Sequence, residues 1–361
     1  MKNGVLICSG TYCTKNIGDY IQSVAQEQYY DKVDTYVERE QMNSFQSSEK
    51  VRTIMNGWFM HKPENFPPSD SIMPLFVSFH IVPDVAGRLL SPEVISYLKK
   101  YEPIGARDTG TKELLESKGV KSYFSGCLTI CLNRKYKSDI HDDTVIFVDP
   151  YYDLYGKRRH LFFRWLHAFS VLFRNLRPAV RLGKIFNYEF KSKVSYISAR
   201  LDRILHAAAF YDTYSKLFSD EVLFDAIYIC HTVEQGRFKD DDEKMDYARL
   251  LIHRYAKAKY VVTSRIHCAL PCLGVETPVL FVTSDNLEGF NPIRSAGRFG
   301  GLIEWFHCLR WKPEGVIMEE QELKDVLKGR KIDKDFIFKN KRDYISYRND
   351  LDATVSAFVA G

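Results

Sequence analysis

The sequence has no long apolar run. No segment approaches the roughly 20 uninterrupted apolar residues that a transmembrane helix needs. The N-terminus has neither the apolar core nor the cleavage site of a signal peptide, and residues 5–8 are instead typical of a buried strand. We therefore expect a cytoplasmic protein.

Several chemical motifs are also missing. The eight cysteines form no C-x-x-C pair and most lie in apolar stretches, so we expect them to be reduced and buried, without a disulfide framework. No cluster with metal-ligand spacing is visible, and no metal is expected. The chain has no G-x-G-x-x-G and no P-loop, which argues against a dinucleotide or nucleoside triphosphate.

The order of the segments predicts an α/β fold. The 361 residues are 45% hydrophobic and long enough for two domains. Strands alternate with helices up to residue 150 and again after residue 220, which favours mostly parallel, doubly wound sheets. The predicted strands are 5–8, 33–37, 52–56, 75–79, 104–106, 144–148, 226–230, 260–263 and 278–282. Helices are predicted through Tyr30 and at 92–101, 109–118, 243–257 and 267–274.

We divide the chain into four parts. Residues 1–150 and 221–316 are predicted as two Rossmann-like domains in a GT-B-like arrangement. Residues 151–220 are predicted as a basic helical insertion between them, and 317–361 as a polar helical tail.

Positive charge is concentrated in the insertion. Residues 155–205 contain twelve Lys/Arg and two acidic residues, a local charge of +10, whereas the whole chain carries +5. This pattern argues for a local anionic partner and against a nucleic-acid binder with a positive field over its whole surface.

Residues 161–177 of the insertion form an amphipathic pattern. At about 100° per residue most large apolar side chains fall within one arc, and arginines lie outside it. The arc comprises Leu161, Phe162, Trp165, Leu166, Phe169, Leu172, Phe173 and Leu176. The pattern is typical of an interfacial membrane helix, and equally of a helix packed on its own domain.

The most specific candidate site follows the predicted strand 260–263. Ser264, Arg265 and His267 stand at its carboxyl edge, just before a short helix. Ligands bind at this edge of open α/β sheets, and a helix N-terminus adds donors for an anion. Arg265 supplies a fork for phosphate or carboxylate, and His267 exchanges a proton near neutral pH. The alternative is an arginine paired with a structural carboxylate and a histidine that caps the helix.

Other polar residues follow predicted strands in the same way. Asn16, Gly18 and Asp19 open the first helix, where they either contact ligand hydroxyls or form a turn and cap. Weaker candidates are His80, Arg107, Asp108, His231 and the loop residues Arg294 and Arg298. For each of them a structural role is the alternative, and Asp108 is well placed to cap the helix 109–118.

Three segments together resemble the polysaccharide pyruvyl transferase family. Residues 16–19 with Gln22 resemble its opening loop, and residues 104–108 with 112–119 resemble its middle motif. Residues 262–270, continued through 277–279, resemble its C-terminal signature. The resemblance covers about 1–150 and 222–305 and does not extend over 155–220.

The resemblance implies an activity. Members of this family are similar to GT-B glycosyltransferases in having two Rossmann-like domains with a cleft between them. They transfer the pyruvyl group of phosphoenolpyruvate to two hydroxyls of a sugar, which forms a cyclic ketal and releases phosphate. For this chain the resemblance implies that Arg265 and His267 line the phosphoenolpyruvate site. Phosphoenolpyruvate is then a donor substrate, and no cofactor is expected.

We assign the remaining roles from the chemistry of that reaction. Arg265, with Arg107 and Arg294, would hold the two anionic groups of the donor, and His267 would act as the general acid. Asp19 or Asp108 would help a sugar hydroxyl to attack. Asn16, Gly18, His80 and Ser264 complete the predicted substrate contacts.

The predicted acceptor is a precursor of a bacterial polysaccharide on a polyprenyl-diphosphate carrier. An anionic bilayer and the carrier's diphosphate would both attract the basic segment 157–177, which places the enzyme at the inner face of the cytoplasmic membrane.

Two other functions stay open. A GT-B glycosyltransferase would use a nucleotide sugar, but no acidic nucleotide-ribose motif follows the C-terminal strands. A glycan- or lipid-binding relative without turnover is disfavoured by the intact Arg265 and His267.

Overall fold

The computed structural model describes residues 1–9, 16–58, 61–155, 160–186, 198–233, 236–284 and 299–361. They form two mainly parallel sheets with helices around them, which confirms the α/β class. Among these residues no helix combines the length and the apolar character needed to cross a bilayer.

The first sheet is parallel, in the order β2-β1-β3-β4. Its strands are β1 (Lys2–Ile7), β2 (Thr35–Glu38), β3 (Val51–Ile54) and β4 (Ile72–Leu75). A parallel pair of β5 (Ile104–Ala106) and β6 (Ser122–Phe124) continues it. The chain after β4 makes this connection, because Phe79 N–H donates to Gly105 O and Arg107 N–H donates to Phe79 O.

The second sheet has six strands in the order β12-β11-β10-β9-β7-β8. They are β7 (Val145–Val148), β8 (Ile227–Ile229), β9 (Tyr260–Thr263), β10 (Val279–Thr283), β11 (His307–Lys312) and β12 (Gly315–Met318). Only the β11–β12 pair is antiparallel. The predicted division at residue 150 does not follow the sheets, because β7 belongs to the second one.

The two sheets share one pattern of strand order. In each, the first strand lies between the second and the third, so the order reverses at β1/β3 in one sheet and at β7/β9 in the other. In open α/β sheets such a switch point opens a crevice at the carboxyl ends of the strands. The fold therefore supplies two carboxyl edges at which polar residues are expected to gather.

Helices surround the sheets. Those before β7 are α1 (Gly18–Glu27), α2 (Pro83–Leu89), α3 (Pro92–Lys99), α4 (Thr109–Ser117) and α5 (Asn133–Tyr136). Those after it are α6 (Leu161–Arg174), α7 (Leu176–Leu182), α8 (Ala199–Tyr214), α9 (Asp220–Asp225), α10 (Asp241–Lys257), α11 (Ile266–Gly274), α12 (Gln321–Leu327) and α13 (Ile345–Ala360). The prediction of helices between residues 151 and 220 is confirmed for the described part.

One hydrophobic core joins the two halves of the chain, the first half being the part before β7 and the second half the part that begins with β7. It includes Val5 and Ile21 from the first half together with Leu251 and Ala269 from the second. At its edge Arg249 of α10 makes a bidentate ion pair with Glu27 of α1, in which Nη2 and Nε donate to the carboxylate at 2.6 and 3.0 Å. The contact of α1 with α10 and α11 therefore brings the N-terminus of α1 to the second sheet.

The tail returns to the first half. Tyr29 donates to Asp352 of α13 at 2.8 Å, and Arg52 donates to the carbonyl of Val359. Only part of the tail is helical, because residues 328–344 lie between α12 and α13 and bury Phe336 and Phe338 against the second sheet.

Six of the seven described cysteines are reduced, as predicted, although Cys230 and Cys308 are only partly buried. The six free thiols are Cys127, Cys131, Cys230, Cys268, Cys272 and Cys308. Cys8 is disulfide-bonded, so the expectation that all are reduced is wrong for this residue. Cys13 lies outside the described residues.

Candidate functional site

Arg265 and His267 stand at the carboxyl edge of the second sheet. Thr263, the last residue of β9, donates its hydroxyl to Val148 O at 2.7 Å and accepts the Arg265 N–H at 2.9 Å. Arg265 is the N-cap of α11, and His267 lies in the first turn with its side chain buried. This strand–helix junction positions both residues as the sequence predicted.

Hydrogen bonds of Ser264 stabilise the junction. Its hydroxyl donates to Val282 O and accepts the N–H of Tyr151, both at 2.9 Å. These bonds link the carboxyl ends of three neighbouring strands, β7, β9 and β10. Ser264, predicted to contact substrate, is therefore engaged in holding the edge of the sheet.

Asp149 orients Arg265. Its Oδ2 lies 3.0 Å from Arg265 Nε and also accepts the N–H of His231 at 3.0 Å. The backbone of Asp149 has a φ of 39°, in the left-handed region that is costly for a residue other than glycine. The Arg265 side chain stays 44% exposed, so the end of the guanidinium can meet a ligand.

Asp149 is not among the residues predicted from the sequence, although a signal for it was available. It is the first polar residue after the buried strand β7, at the same edge of the sheet as Ser264 and Arg265.

Residues 16–18, at the start of α1, contact this edge. Asn16 forms an antiparallel bridge with Thr232, and the Ile17 N–H donates to His231 O at 2.9 Å. A Cβ built on Gly18 would lie 2.9 Å from His267 Cβ and 3.3 Å from its Nδ1. The structure therefore joins Asn16 and Gly18 to the Arg265–His267 site, and the absence of a side chain at Gly18 permits the contact.

We expect Gly18→Ala to disturb this contact. The added methyl overlaps His267, so the N-terminus of α1 or the imidazole must shift, at a cost of about 1–3 kcal/mol. Chemical denaturation measures that loss of stability. Gly87→Ala is the matched control, because a Cβ there meets nothing within 4 Å. Equal stability of the two variants would contradict the close contact between Gly18 and His267.

Asp19 lies at the switch point of the first sheet. Its Oδ1 is 3.6 Å from Arg39 Nη1 and accepts a long hydrogen bond of 3.5 Å from Gln22. Arg39 also pairs with Glu40 at 3.1 Å, and all these charged groups are buried. Asp19 and Arg39 border a cavity of about 10 Å³ that Asn56 also lines, which is space for about one water molecule. Nothing in the sequence singles out Arg39 or Glu40.

His80, Arg107 and Asp108 form a second buried cluster. His80 Nδ1 lies 2.6 Å from Asp108 Oδ2, and Arg107 Nε lies 3.4 Å from the same oxygen. Asp108 Oδ1 accepts the N–H of Thr111, so the prediction that it caps α4 is confirmed. Each of the three charged side chains is 1% exposed.

The charges of this cluster determine its protonation. Burial alone would raise the pKa of Asp108, but the charge and hydrogen bond of His80 and the charge of Arg107 outweigh it, and the pKa lies below its usual value. Asp108 is thus held as a carboxylate. Among the described residues no group accepts a hydrogen bond from the buried Nη2 of Arg107. The cluster meets the second half where the Thr109 N–H donates to Gly300 O at 3.1 Å.

His231 is a neutral buried histidine. Its Nε2 is 2.7 Å from the Tyr255 hydroxyl. Burial lowers the pKa of His231 to about 4, and Asp149 and Arg265 act in opposite directions on it. This environment favours a structural role behind Asp149 over the ligand contact considered from the sequence.

The lowered pKa of His231 makes stability depend on pH. Its folded-state pKa lies below the unfolded value of about 6.5, so its contribution is present above pH 6.5 and is lost as pH falls towards 4. For this group alone we expect the free energy of unfolding to drop by about 2 kcal/mol between pH 7 and pH 5. Urea denaturation at both values, for the wild type and His231→Gln, measures the difference. An unchanged pH dependence in the variant would contradict the assignment.

The remaining predicted site residues, Arg294 and Arg298, lie outside the described residues.

The chain matches no curated protein and no solved structure at a significant level. The family model described as polysaccharide pyruvyl transferase matches residues 16–286, most of the chain. The matched range begins at Asn16 and includes Arg107, Asp108 and the Arg265–His267 junction. The resemblance found in the sequence is confirmed, and the chain belongs to the polysaccharide pyruvyl transferase family.

Proposed function

We propose that the protein transfers the pyruvyl group of phosphoenolpyruvate to two hydroxyls of a sugar in a bacterial polysaccharide precursor. One observation carries the proposal: the start of α1 meets the Arg265–His267 junction through the Gly18–His267 contact. Two of the three segments that resemble the family thus form one site. We propose that this site lies in a cleft of the GT-B type, between the two carboxyl edges.

Phosphoenolpyruvate needs two sets of cationic or N–H groups in the site, one for its carboxylate and one for its phosphate. Arg265 supplies one fork, beside the N-terminal turn of α11. Arg107 is the second candidate, because its Nη2 is buried with no acceptor among the described residues, and an anion would satisfy it. Arg294 stays a prediction.

His267 is proposed as the general acid. Protonation of the methylene carbon converts it to a methyl group and makes the central carbon electrophilic. One sugar hydroxyl attacks that carbon, the bond to the phosphate oxygen breaks, and the second hydroxyl closes the ketal. The diol loses two protons in total, and the balance places one on the new methyl group and one on the released phosphate.

The surroundings of the two candidate bases support one of them over the other. Asp108 already accepts from Thr111 and contacts His80 and Arg107, and its lowered pKa makes it a weak proton acceptor. Asp19 borders a cavity with room for about one water and contacts one arginine at 3.6 Å. We therefore favour Asp19 as the base and propose that Asp108 positions the Arg107 guanidinium.

The acceptor is proposed to be linked to a polyprenyl diphosphate. The support is the positive charge of residues 155–205, which suits a diphosphate and an anionic bilayer.

The test follows the methyl group. The protein is incubated in D₂O with phosphoenolpyruvate labelled with ¹³C at its methylene carbon and with a panel of free and lipid-linked glycans. We expect a new ketal methyl signal carrying one deuterium, with one phosphate released per ketal. Consumption of a nucleotide sugar in a parallel panel, with the phosphoenolpyruvate signal unchanged, would overturn the proposal in favour of glycosyl transfer.

A further inference from the structure

The helices α6 and α7 leave an apolar surface uncovered. Fourteen large apolar side chains are exposed among the described residues, and eight of them fall between residues 161 and 185. They are Leu161, Phe162, Phe163, Leu166, Phe173, Leu176, Val180 and Ile185. Such a concentration marks an interaction surface, because monomeric soluble proteins seldom expose contiguous apolar patches of this kind.

The packing of α6 fixes which face is exposed. Ala168, Val171 and Leu172 are buried in a small core with Ala208 and Ala209 of α8. Asn175 anchors the end of the helix by donating to Asp212 of α8 at 2.9 Å. The predicted apolar arc is therefore split. Leu172 is buried, Trp165 and Phe169 are half-buried, and the other members are exposed.

Three of the exposed apolar residues of α6 lie along one line of the helix. At about 100° per residue, Phe162, Leu166 and Phe173 fall within an arc of about 40°. Phe162 is 68% exposed and Phe173 is 73% exposed. This side of α6 points away from the core that holds the helix on α8.

The helices α6 and α7 themselves carry charge of a single sign, although Asp212 of the neighbouring α8 lies 3.9 Å from Arg174. Residues 160–186 contain five basic residues and no acidic residue. The basic residues are Arg164, Arg174, Arg177, Arg181 and Lys184. Exposed phenylalanine and leucine bordered by arginine and lysine match a bilayer with anionic headgroups, where the apolar groups enter the acyl boundary and the cations remain at the phosphates.

The dimensions indicate attachment and not spanning. The fourteen residues of α6 extend about 21 Å, less than the roughly 30 Å of a hydrocarbon core. A helix of this length lies in the plane of the interface.

We infer that the α6–α7 surface docks the protein onto anionic membranes. The inference is independent of the proposed reaction, because it concerns binding to lipid and is measured without substrate. It resolves the two alternatives drawn from the sequence as two faces of one helix, one packed on α8 and one bound to lipid.

Vesicle flotation tests this inference. The wild type is mixed with vesicles of phosphatidylcholine alone or of phosphatidylcholine with phosphatidylglycerol. The triple variant Phe162→Ser, Leu166→Ser, Phe173→Ser removes the apolar line, and Arg177→Glu with Lys184→Glu reverses part of the charge. The control is Ile140→Ser with Ile337→Ser, two side chains that are 77% and 72% exposed elsewhere on the protein.

We expect the wild type and the control to float with the anionic vesicles, and less so at high salt. Each variant of the surface should bind about tenfold more weakly or worse. All variants should retain the wild-type melting temperature, since the altered side chains are exposed. Equal flotation of the triple variant and the wild type would overturn the inference. So would a wild-type dimer in sedimentation that the triple variant dissociates, with no binding to vesicles, since the surface would then join two copies of the chain.

Discussion

Replacing His267 with glutamine should lower the rate of pyruvyl transfer by about 10²–10⁴-fold, the usual contribution of a general acid. Glutamine retains a polar side chain of similar reach but has no proton to give to the methylene carbon. The His267 side chain is 7% exposed and packs against Gly18, so the fold around it should persist. Binding of phosphoenolpyruvate should remain within a few-fold, because Arg265 and the first turn of α11 are unchanged.

The rate is measured as phosphate release with an acceptor identified by the labelled-methyl experiment. Calorimetric titration with phosphoenolpyruvate measures binding separately. His253→Gln is the matched control, because His253 is an exposed histidine of α10. A variant at position 267 with the wild-type rate would remove His267 from the chemistry, whereas a variant that loses donor binding and rate together would indicate a binding role instead.

Replacing Asp108 with alanine should destabilise the protein by about 3–5 kcal/mol, as is usual when one partner of a buried ion pair is removed. The substitution leaves the Arg107 guanidinium buried without its carboxylate and deprives His80 of its 2.6 Å contact. It also removes the cap of α4, because the N–H of Thr111 loses its acceptor.

Denaturation in urea measures this effect. Asp143→Ala is the control, since Asp143 is 97% exposed and its contact with Lys259 should contribute less than about 1 kcal/mol. Asp108→Asn retains the cap without the charge and should fall between the wild type and Asp108→Ala. Because the folded-state pKa of Asp108 is lowered, its contribution is present above an unfolded pKa of about 4 and disappears in more acidic solution. Equal losses from Asp143→Ala and Asp108→Ala would show that the cluster is not held by charge.

The alternating pattern of the sequence predicted most of the sheets. The strands at 104–106 and 260–263 were predicted with the bounds that the structure has, because each is a short apolar run between polar residues. The hairpin of β11 and β12 was missed. In β11 buried positions alternate with half-buried or exposed ones, and the turn at Pro313 and Glu314, just before Gly315 of β12, was a readable signal.

The partners of the site residues were harder to predict. The sequence gives the position of Arg265, but its pairing with Asp149 depends on β7 lying beside β9, and these strands are separated by more than a hundred residues. In the same way nothing local pairs Asp19 with Arg39. Ion pairs between distant segments follow from the order of the strands in the sheet, which has to be known first.

The exposed face of α6 shows a limit of helical patterning. The positions of the residues at about 100° per residue identified an apolar arc, and its large side chains suggested which side of the helix would be buried. In the structure the small side chain of Ala168 faces Ala208 and Ala209, so α6 and α8 approach closely and most of the larger residues are left outside. Close packing can thus favour small residues over large ones, and periodicity does not report which of them is buried.

The central claim is that Arg265 belongs to a phosphoenolpyruvate site, and thermal stability in the presence of ligands tests it most directly. The wild type, Arg265→Ala and the control Arg310→Ala are heated with phosphoenolpyruvate and, separately, with UDP and UDP-sugars. At about 100 times its Kd a ligand adds roughly 2.7 kcal/mol to stability. We expect phosphoenolpyruvate to stabilise the wild type and Arg310→Ala but not Arg265→Ala. Equal stabilisation of all three proteins by phosphoenolpyruvate, or stabilisation by a nucleotide sugar alone, would contradict the claim.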